Sequence, residues 1–457
     1  TTAAAPTSTA APTTAAAPTA ARTATATTAA LAAATALAAL ALTGCGQDQD
    51  QAPSPAASPS QSAPEQPVDS DSAEVAAPAA RLVLTYDGGL QVIDALTLEL
   101  VADLPLDGFN RINPAGDERH AFVSTAGGFK LLDTGVYAAA HGDHSHYYAA
   151  APILEDGIEI AAETPGHVVP HDDLTALFDD ATGHVTVLEA DDLEAGPVRE
   201  YTAPAPHHGV AVALPDGALL VTQGTAEERR TVVALDAADA VTAQTDECPD
   251  VHGEGVAAEE AVAFGCQGGA VIYADGAFSF AAAPAPEGRI STIAGSEESA
   301  VLLGNYSLTG SDAPSTEVAL IDTAAGAVKT VDIGVAYYSF TRGDDGSGLV
   351  LGVDGQLHVI DVEAGVETAV YSVIAPFELP AEWQTPRPRV LVVAGMVYVT
   401  DTAAQAIHAV DPATGEIWKS GSLTVTPNEI VGVSGEGAGE HDHDEEGEHD
   451  EESEHDE

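Results

Sequence analysis

A strand-like pentapeptide that ends in an acidic residue returns every ~40–50 residues between Arg81 and about Val433, the period of propeller repeats. It reads Leu90-Gln91-Val92-Ile93-Asp94, Phe129-Lys130-Leu131-Leu132-Asp133, Val185-Thr186-Val187-Leu188-Glu189, Val232-Val233-Ala234-Leu235-Asp236, Val318-Ala319-Leu320-Ile321-Asp322, Leu357-His358-Val359-Ile360-Asp361 and Ile407-His408-Ala409-Val410-Asp411. Each follows a strand-and-turn run such as Ala211-Val212-Ala213-Leu214-Pro215-Asp216-Gly217, and the stretch around Val271-Ile272-Tyr273 brings the repeats to about eight. One small sheet cannot bury both of its apolar faces, whereas a closed ring covers each face with the next sheet. The expected fold class is therefore all-β, a β-propeller of seven or eight blades over residues 81–433. Composition agrees: 43 Gly and 28 Pro break the chain, and its apolar residues form short Val/Leu/Ala runs rather than helical stripes.

With 14 basic and 72 acidic side chains the net charge is −58, a field that repels phosphate backbones and anionic headgroups. Nucleic acid is excluded as a partner. The acidity suits a surface that stays soluble in salt or one that gathers cations. Thirteen of the carboxylates lie in the last 22 residues, interleaved with His441, His443, His449 and His455. Residues 434–457 are expected to be a disordered acidic His-rich tail, because like charges repel and little can be buried. As a bare solubility tail it needs no ligand, but His-Asp-His spacing also suits weak, fast-exchanging cation capture.

Residues 1–45 read as a low-complexity leader and a lipoprotein signal peptide. Leu31 to Leu42 is a short apolar stretch ending in Leu42-Thr43-Gly44-Cys45, which resembles a lipobox with Cys45 as the lipidated residue. The stretch is too short to span a bilayer comfortably, so the membrane is reached by a lipid anchor only. Residues 46–80 have the Gln/Asp/Ser/Pro composition of a disordered linker. The implied location is extracytoplasmic, in the periplasm or at the cell surface. Two cysteines remain, Cys248 and Cys266, flanking an apolar strand; in an oxidising compartment the simplest reading is a disulfide, the alternative a pair of thiolate metal ligands.

Sixteen histidines in a base-poor chain carry the functional signal, and nine of them fall between residues 141 and 252. His141-Gly142-Asp143-His144-Ser145-His146-Tyr147-Tyr148 is expected in an inter-strand loop of the second blade, where His141, Asp143, His144 and His146 offer the donors zinc prefers. A solvated polar loop is the plain alternative. Three further motifs open successive repeats: Pro165-Gly166-His167-Val168-Val169-Pro170-His171, Pro206-His207-His208-Gly209-Val210 and Pro249-Asp250-Val251-His252-Gly253-Glu254-Gly255. The spacings are 41 from His167 to His208 and 44 from His208 to His252, close to the repeat period. A lone histidine at such a place is usually a packing or turn residue; three in phase are expected to converge at one mouth of the channel. His146 is expected to supply the fourth ligand, with Glu254 close by.

The order of these four motifs, followed by Phe264-Gly265-Cys266, resembles the AztD-type zinc metallochaperones over roughly Arg81 to Val433. The resemblance implies a β-propeller outside the cytoplasmic membrane. It further implies high-affinity zinc binding and delivery of the metal to the solute-binding protein of a zinc ABC importer. Family members commonly carry a His-rich acidic segment, which here is C-terminal. The expectation is a monomeric zinc carrier and not an enzyme. The main rival is a metal-dependent propeller lyase or hydrolase using channel histidines, with Glu254 or Asp143 as general base. No Ser-His-Asp elbow and no phosphate loop is visible, and only two Trp disfavour a quinone-cofactor propeller. A plain interaction propeller with incidental histidines is the third reading; it would hold no zinc through dialysis. We expect wild-type protein expressed with its leader to partition into detergent and Cys45→Ser to be released into the aqueous phase. A detergent-insensitive wild type with an unmodified Cys45 would overturn the lipobox reading.

Overall fold

Each of the seven repeated pentapeptides, and with them the stretch around Val271-Ile272-Tyr273, occupies the same place, the third strand of a four-stranded antiparallel sheet. In the computed structural model the described residues are 72–437 apart from 142, 143 and 312, and among them are eight such sheets. Cys45, Asp143 and the tail histidines His441, His443, His449 and His455 lie outside the described residues. The second and third strands are buried along most of their length, as in Arg81–Tyr86 and Gly89–Asp94, because neighbouring sheets cover both faces. The fourth strands, such as Val366–Ser372 and Ile417–Ser422, face solvent and are only partly buried.

The inner-edge strands lie against one another around the ring. Ile430–Val433 meets Arg111–Pro114, which meets Pro165–His171, which meets Ala211–Ala213. On the other side His252–Ala257 meets Ile293–Ala294, then Tyr337–Arg342, Val390–Val393 and Ile430–Val433 again. The all-β propeller expectation is met. With few aromatics, the sheets pack through mainly aliphatic layers with single Phe residues among them: Val212, Leu220 and Val232 of the fourth sheet interlock with Val262, Phe264 and Val271 of the fifth. Truncating one such fully buried Leu or Val removes contacts that neighbours cannot replace, at a cost of about 2–5 kcal/mol for Leu→Ala.

The ring is closed by the last of the described strands. Ile430–Val433 pairs antiparallel with Arg81–Tyr86, Ile430 opposite Leu84 and Val433 opposite Arg81, so the first sheet takes its inner strand from the last repeat.

Two features depart from expectation. The His-rich segment is not a loop but a hairpin, Val136–His141 with His144–Ala149, inserted between the third and fourth strands of the second sheet. The stretch read as linker also contributes a strand, Ala73–Val75, which pairs with His144–Ala149. The added strand covers the Tyr147–Ala149 part of the hairpin's edge, pairing backbone groups that would otherwise be exposed there.

Cys248 and Cys266 form a disulfide, Cα to Cα 4.9 Å, as the isolated pair suggested. It ties the segment entering His252–Ala257 to the end of the neighbouring strand Ala261–Cys266. The sequence separation is 18. We expect the Cys248→Ser, Cys266→Ser double variant to lose about 3 kcal/mol of stability from loop-closure entropy, read by denaturant unfolding. Unchanged stability would mean that packing alone holds this segment.

Candidate metal centre

The three in-phase motifs bring His167, His208 and His252 together: one ligand nitrogen from each lies within 4.8 Å of the others. The ring centroids are 5.1 Å apart for His167 and His208, 5.3 Å for His167 and His252, and 4.9 Å for His208 and His252. They come from the inner edges of the third, fourth and fifth sheets and line a cavity of about 220 Å³ with Arg111, Glu254 and Ser291.

Local backbone irregularity aims them. The ladder slips register between Pro165 and Val168 and again between His252 and Glu254, so both His167 and His252 sit at bulges, which turn a side chain out of the regular pleat. Gly253 has φ +65°, and a Cβ there would stand 2.3 Å from the Ser291 carbonyl. That close approach lets His252 Nδ1 donate to the same carbonyl at 2.6 Å. Gly166 leaves room in the same way for Asp180, whose Oδ1 would be 2.3 Å from its Cβ. Asp180 accepts from His208 Nδ1 at 2.5 Å.

These contacts set the tautomers. With Nδ1 of His208 given to a carboxylate and Nδ1 of His252 to a carbonyl, both Nε2 atoms carry lone pairs. Yet the two Nε2 atoms stand 3.1 Å apart. Two acceptors at that distance call for a cation or a proton between them. His167 Nδ1 lies 3.3 Å from Glu254 Oε2, a buried carboxylate oxygen with no hydrogen bond of its own. Burial opposes charge on His167, but Glu254, reinforced by Asp180, outweighs it and raises the pKa. At His252 burial, aided by the charge of His167, lowers the pKa to about 4. The set has the composition of a three-histidine site with a fourth position open.

The other predicted residues are placed as follows. His146 does not join this triad; it groups with His141 and His144 on the inserted hairpin. Period-two alternation puts His144 and His146 on one face, and register sets His141 opposite His144. His144 Nε2 and His146 Nε2 are 3.2 Å apart, and His146 Nδ1 is 2.7 Å from Glu74 Oε1 on the added strand. His207, beside His208, points the other way into the core, where its Nε2 meets Thr222 Oγ1 at 3.0 Å and burial lowers its pKa. A third group joins buried His171 to Asp172 and Glu260, with Nε2 2.8 Å from Glu260 Oε2.

Asp180, Ser291 and Glu74 were not singled out from sequence. Asp180 follows Asp179 in an ordinary-looking Asp-Asp turn, and its doubling is the only signal it gives. Ser291 acts through its backbone carbonyl, which no side-chain pattern reports.

No profile of a known protein family matches the chain. It is 26% identical over 379 residues to a protein named zinc chaperone AztD from Citrobacter koseri, covering 78% of this chain and 87% of that protein. Its fold is similar to a crystal structure of Citrobacter koseri AztD, with TM-score 0.68 at 24% identity over 78% of this chain and 98% of that one. The structure of apo AztD from the same organism gives TM-score 0.67 at 23% identity, over the same 78% and 98%. The fold also resembles that of the dihydro-heme d1 dehydrogenase NirN, TM-score 0.50 at 12% identity, over 78% of this chain and 75% of that one. The resemblance drawn from the four motifs is thus met.

The two shifted histidines set a pH window. His167, raised above the ordinary 6.5, must lose its proton for a metal to bind, while His252, lowered to about 4, is already neutral. Apparent affinity for a divalent ion should therefore fall by at least about tenfold per pH unit as pH drops below the His167 pKa, because a proton on that ring competes with the ion. Chelator competition across pH 5.5–8.5, a range of about three units, checks this; a flat profile would show that His167 is not a ligand.

Proposed function

We propose that this chain, like the zinc chaperone it resembles, is an extracytoplasmic zinc metallochaperone that hands its metal to the solute-binding protein of a zinc ABC importer. The observation that carries the reading is the convergence of His167, His208 and His252, with Nδ1 of each facing a protein acceptor and each Nε2 left for the metal. Zinc takes neutral imidazole in tetrahedral sets, and a site with three protein ligands keeps one position through which an acceptor's ligand can enter. Stepwise exchange then moves the ion without releasing it to water. Glu254, with its buried Oε2 3.3 Å from His167 Nδ1, places a negative charge beside the site that balances the charge of a bound cation.

His141, His144 and His146 form a second, more exposed group on the hairpin, suited to taking up or passing on an ion rather than storing it. The expected role of His146 as fourth ligand to the triad gives way to this one. The tail histidines His441, His443, His449 and His455, with their carboxylates, would concentrate zinc near the body. A lipid on Cys45 would hold the protein at the membrane surface, and the disulfide suits an oxidising compartment.

Zinc-loaded protein, chelator competition and transfer to the apo solute-binding protein test the reading. His167→Ala, His208→Ala and His252→Ala should each weaken zinc by more than tenfold. Asp180→Asn should weaken it by about 10–100-fold by freeing the His208 ring. His144→Ala and His146→Ala should slow transfer while leaving the tight site intact. Wild-type affinity in all three triad variants would refute it.

A further inference from the structure

The inner strands of the third and fifth sheets carry metal-binding side chains at both ends. His167 and His252 stand near their beginnings, in the triad; His171 closes Pro165–His171, and Glu260 ends the turn Ala258–Glu260 that follows His252–Ala257. His171 lies four residues beyond His167, about 13 Å along an extended chain, so it belongs to a different site. One ligand atom each from His171, Asp172 and Glu260 lies within 4.8 Å of the others. Glu297, just past the inner strand Ile293–Ala294 of the sixth sheet, brings a fourth side chain to the same ring.

The distances suit a cation. His171 Nε2 is 2.8 Å from Glu260 Oε2 and 3.8 Å from Asp172 Oδ2. Ligands held about 2.1 Å from a tetrahedral ion are about 3.4 Å apart, between those two values, so small shifts would seat an ion among the three atoms. On the other side of the ring, Nδ1 has no hydrogen bond among the described residues, and Glu297 Oε1 stands 4.0 Å away. A neutral imidazole has one proton, so whichever nitrogen carries it, the other turns a lone pair toward a carboxylate. The side chain is 2% exposed, and bulk water can do little to relieve that opposition. Among the described residues the ion pairs of these three carboxylates are all with His171, so no Lys or Arg neutralises them. A cation at Nε2 removes the conflict. It satisfies that lone pair, neutralises two carboxylates and leaves the Nδ1 proton to face Glu297, as His208 Nδ1 faces Asp180 in the triad.

We propose that His171, Asp172 and Glu260 form a further divalent-metal site, separate from the triad and from the hairpin, with Glu297 orienting the imidazole. Two carboxylates and a single imidazole make a harder ligand set than the all-histidine triad, one that takes zinc or manganese with water in the remaining positions. Its ligands come from the ends of inner strands in the third and fifth sheets, so the bound ion clamps the ring rather than serving as cargo. Nothing in this site depends on the transfer function proposed above.

Zinc(II) chloride and manganese(II) chloride, each alone, are the probes, and the full chain carrying His167→Ala, His208→Ala and His252→Ala removes the triad's contribution. Crystals of that chain and of the wild type should show an anomalous-scattering peak beside His171 Nε2 with at least one of the two metals. In solution the same metal should raise the unfolding midpoint of the triad variant by about 3 °C or more, because it binds the folded state alone. Adding Glu260→Gln or Asp172→Asn should remove the peak and most of that rise, and Glu297→Gln should weaken binding about 10–100-fold while leaving the peak in place. In the otherwise wild-type chain Glu260→Gln should leave the zinc affinity of the triad unchanged. A plain ion pair between protonated His171 and Glu260 predicts something else: Glu260→Gln would lower the midpoint of the metal-free protein and leave the metal-dependent rise as it was. That result, or wild-type crystals with an ion in the triad and none beside His171 with either metal, would overturn the site.

Discussion

The backbone ladder between Ile430–Val433 and Arg81–Tyr86 is the interaction on which the rest depends. Each sheet has two apolar faces, and only a closed ring gives every face a neighbour. Without the ladder the first sheet would lose its inner strand, and Glu429, with its bonds to Arg111 and the Ile112 amide, would lose its place. Closure therefore stabilises the core and fixes positions far apart in the chain with the same few hydrogen bonds.

On that frame the metal centre uses three adjacent inner edges. Contact between the fourth and fifth sheets runs through an aliphatic cluster and the His208–His252 pair rather than through a long inner-strand contact. The disulfide braces the same region, four residues before His252. Two opposed demands meet here. In the transfer proposed above, the rings are held in one tautomer by Asp180 and the Ser291 carbonyl while one coordination position stays open for exchange. Bulges at His167 and His252 answer both, since they aim single side chains without disrupting the ladder on either side.

Charge divides the surface. Most of it is acidic, which concentrates divalent cations and keeps the protein soluble, but also repels any acidic partner. The few arginines are correspondingly informative. Arg111 and Arg389 share Glu429 and approach the rings of Trp383 and Tyr338, so they form a fixed feature rather than scattered counter-charges.

The repeat period determined the propeller, because any strand that returns in phase must take the same place in successive sheets; all seven pentapeptides and the stretch around Val271 became third strands. For the same reason the spacings of 41 and 44 residues were enough to bring His167, His208 and His252 to one place. The disulfide was legible as the simplest use of two remaining cysteines. Sequence did not decide what depends on departures from the repeat. The hairpin that groups His146 with His141 and His144 is an insertion, and its register with Ala73–Val75 is set by pairing across some 70 residues. Asp180 reached His208 only because Gly166 leaves space beside it. Arg111 and Glu429, 318 residues apart, meet only when the ring closes. Periodicity carries what every repeat shares; contacts that occur once are decided by the tertiary structure, since nothing in a local pattern records which distant residue will arrive.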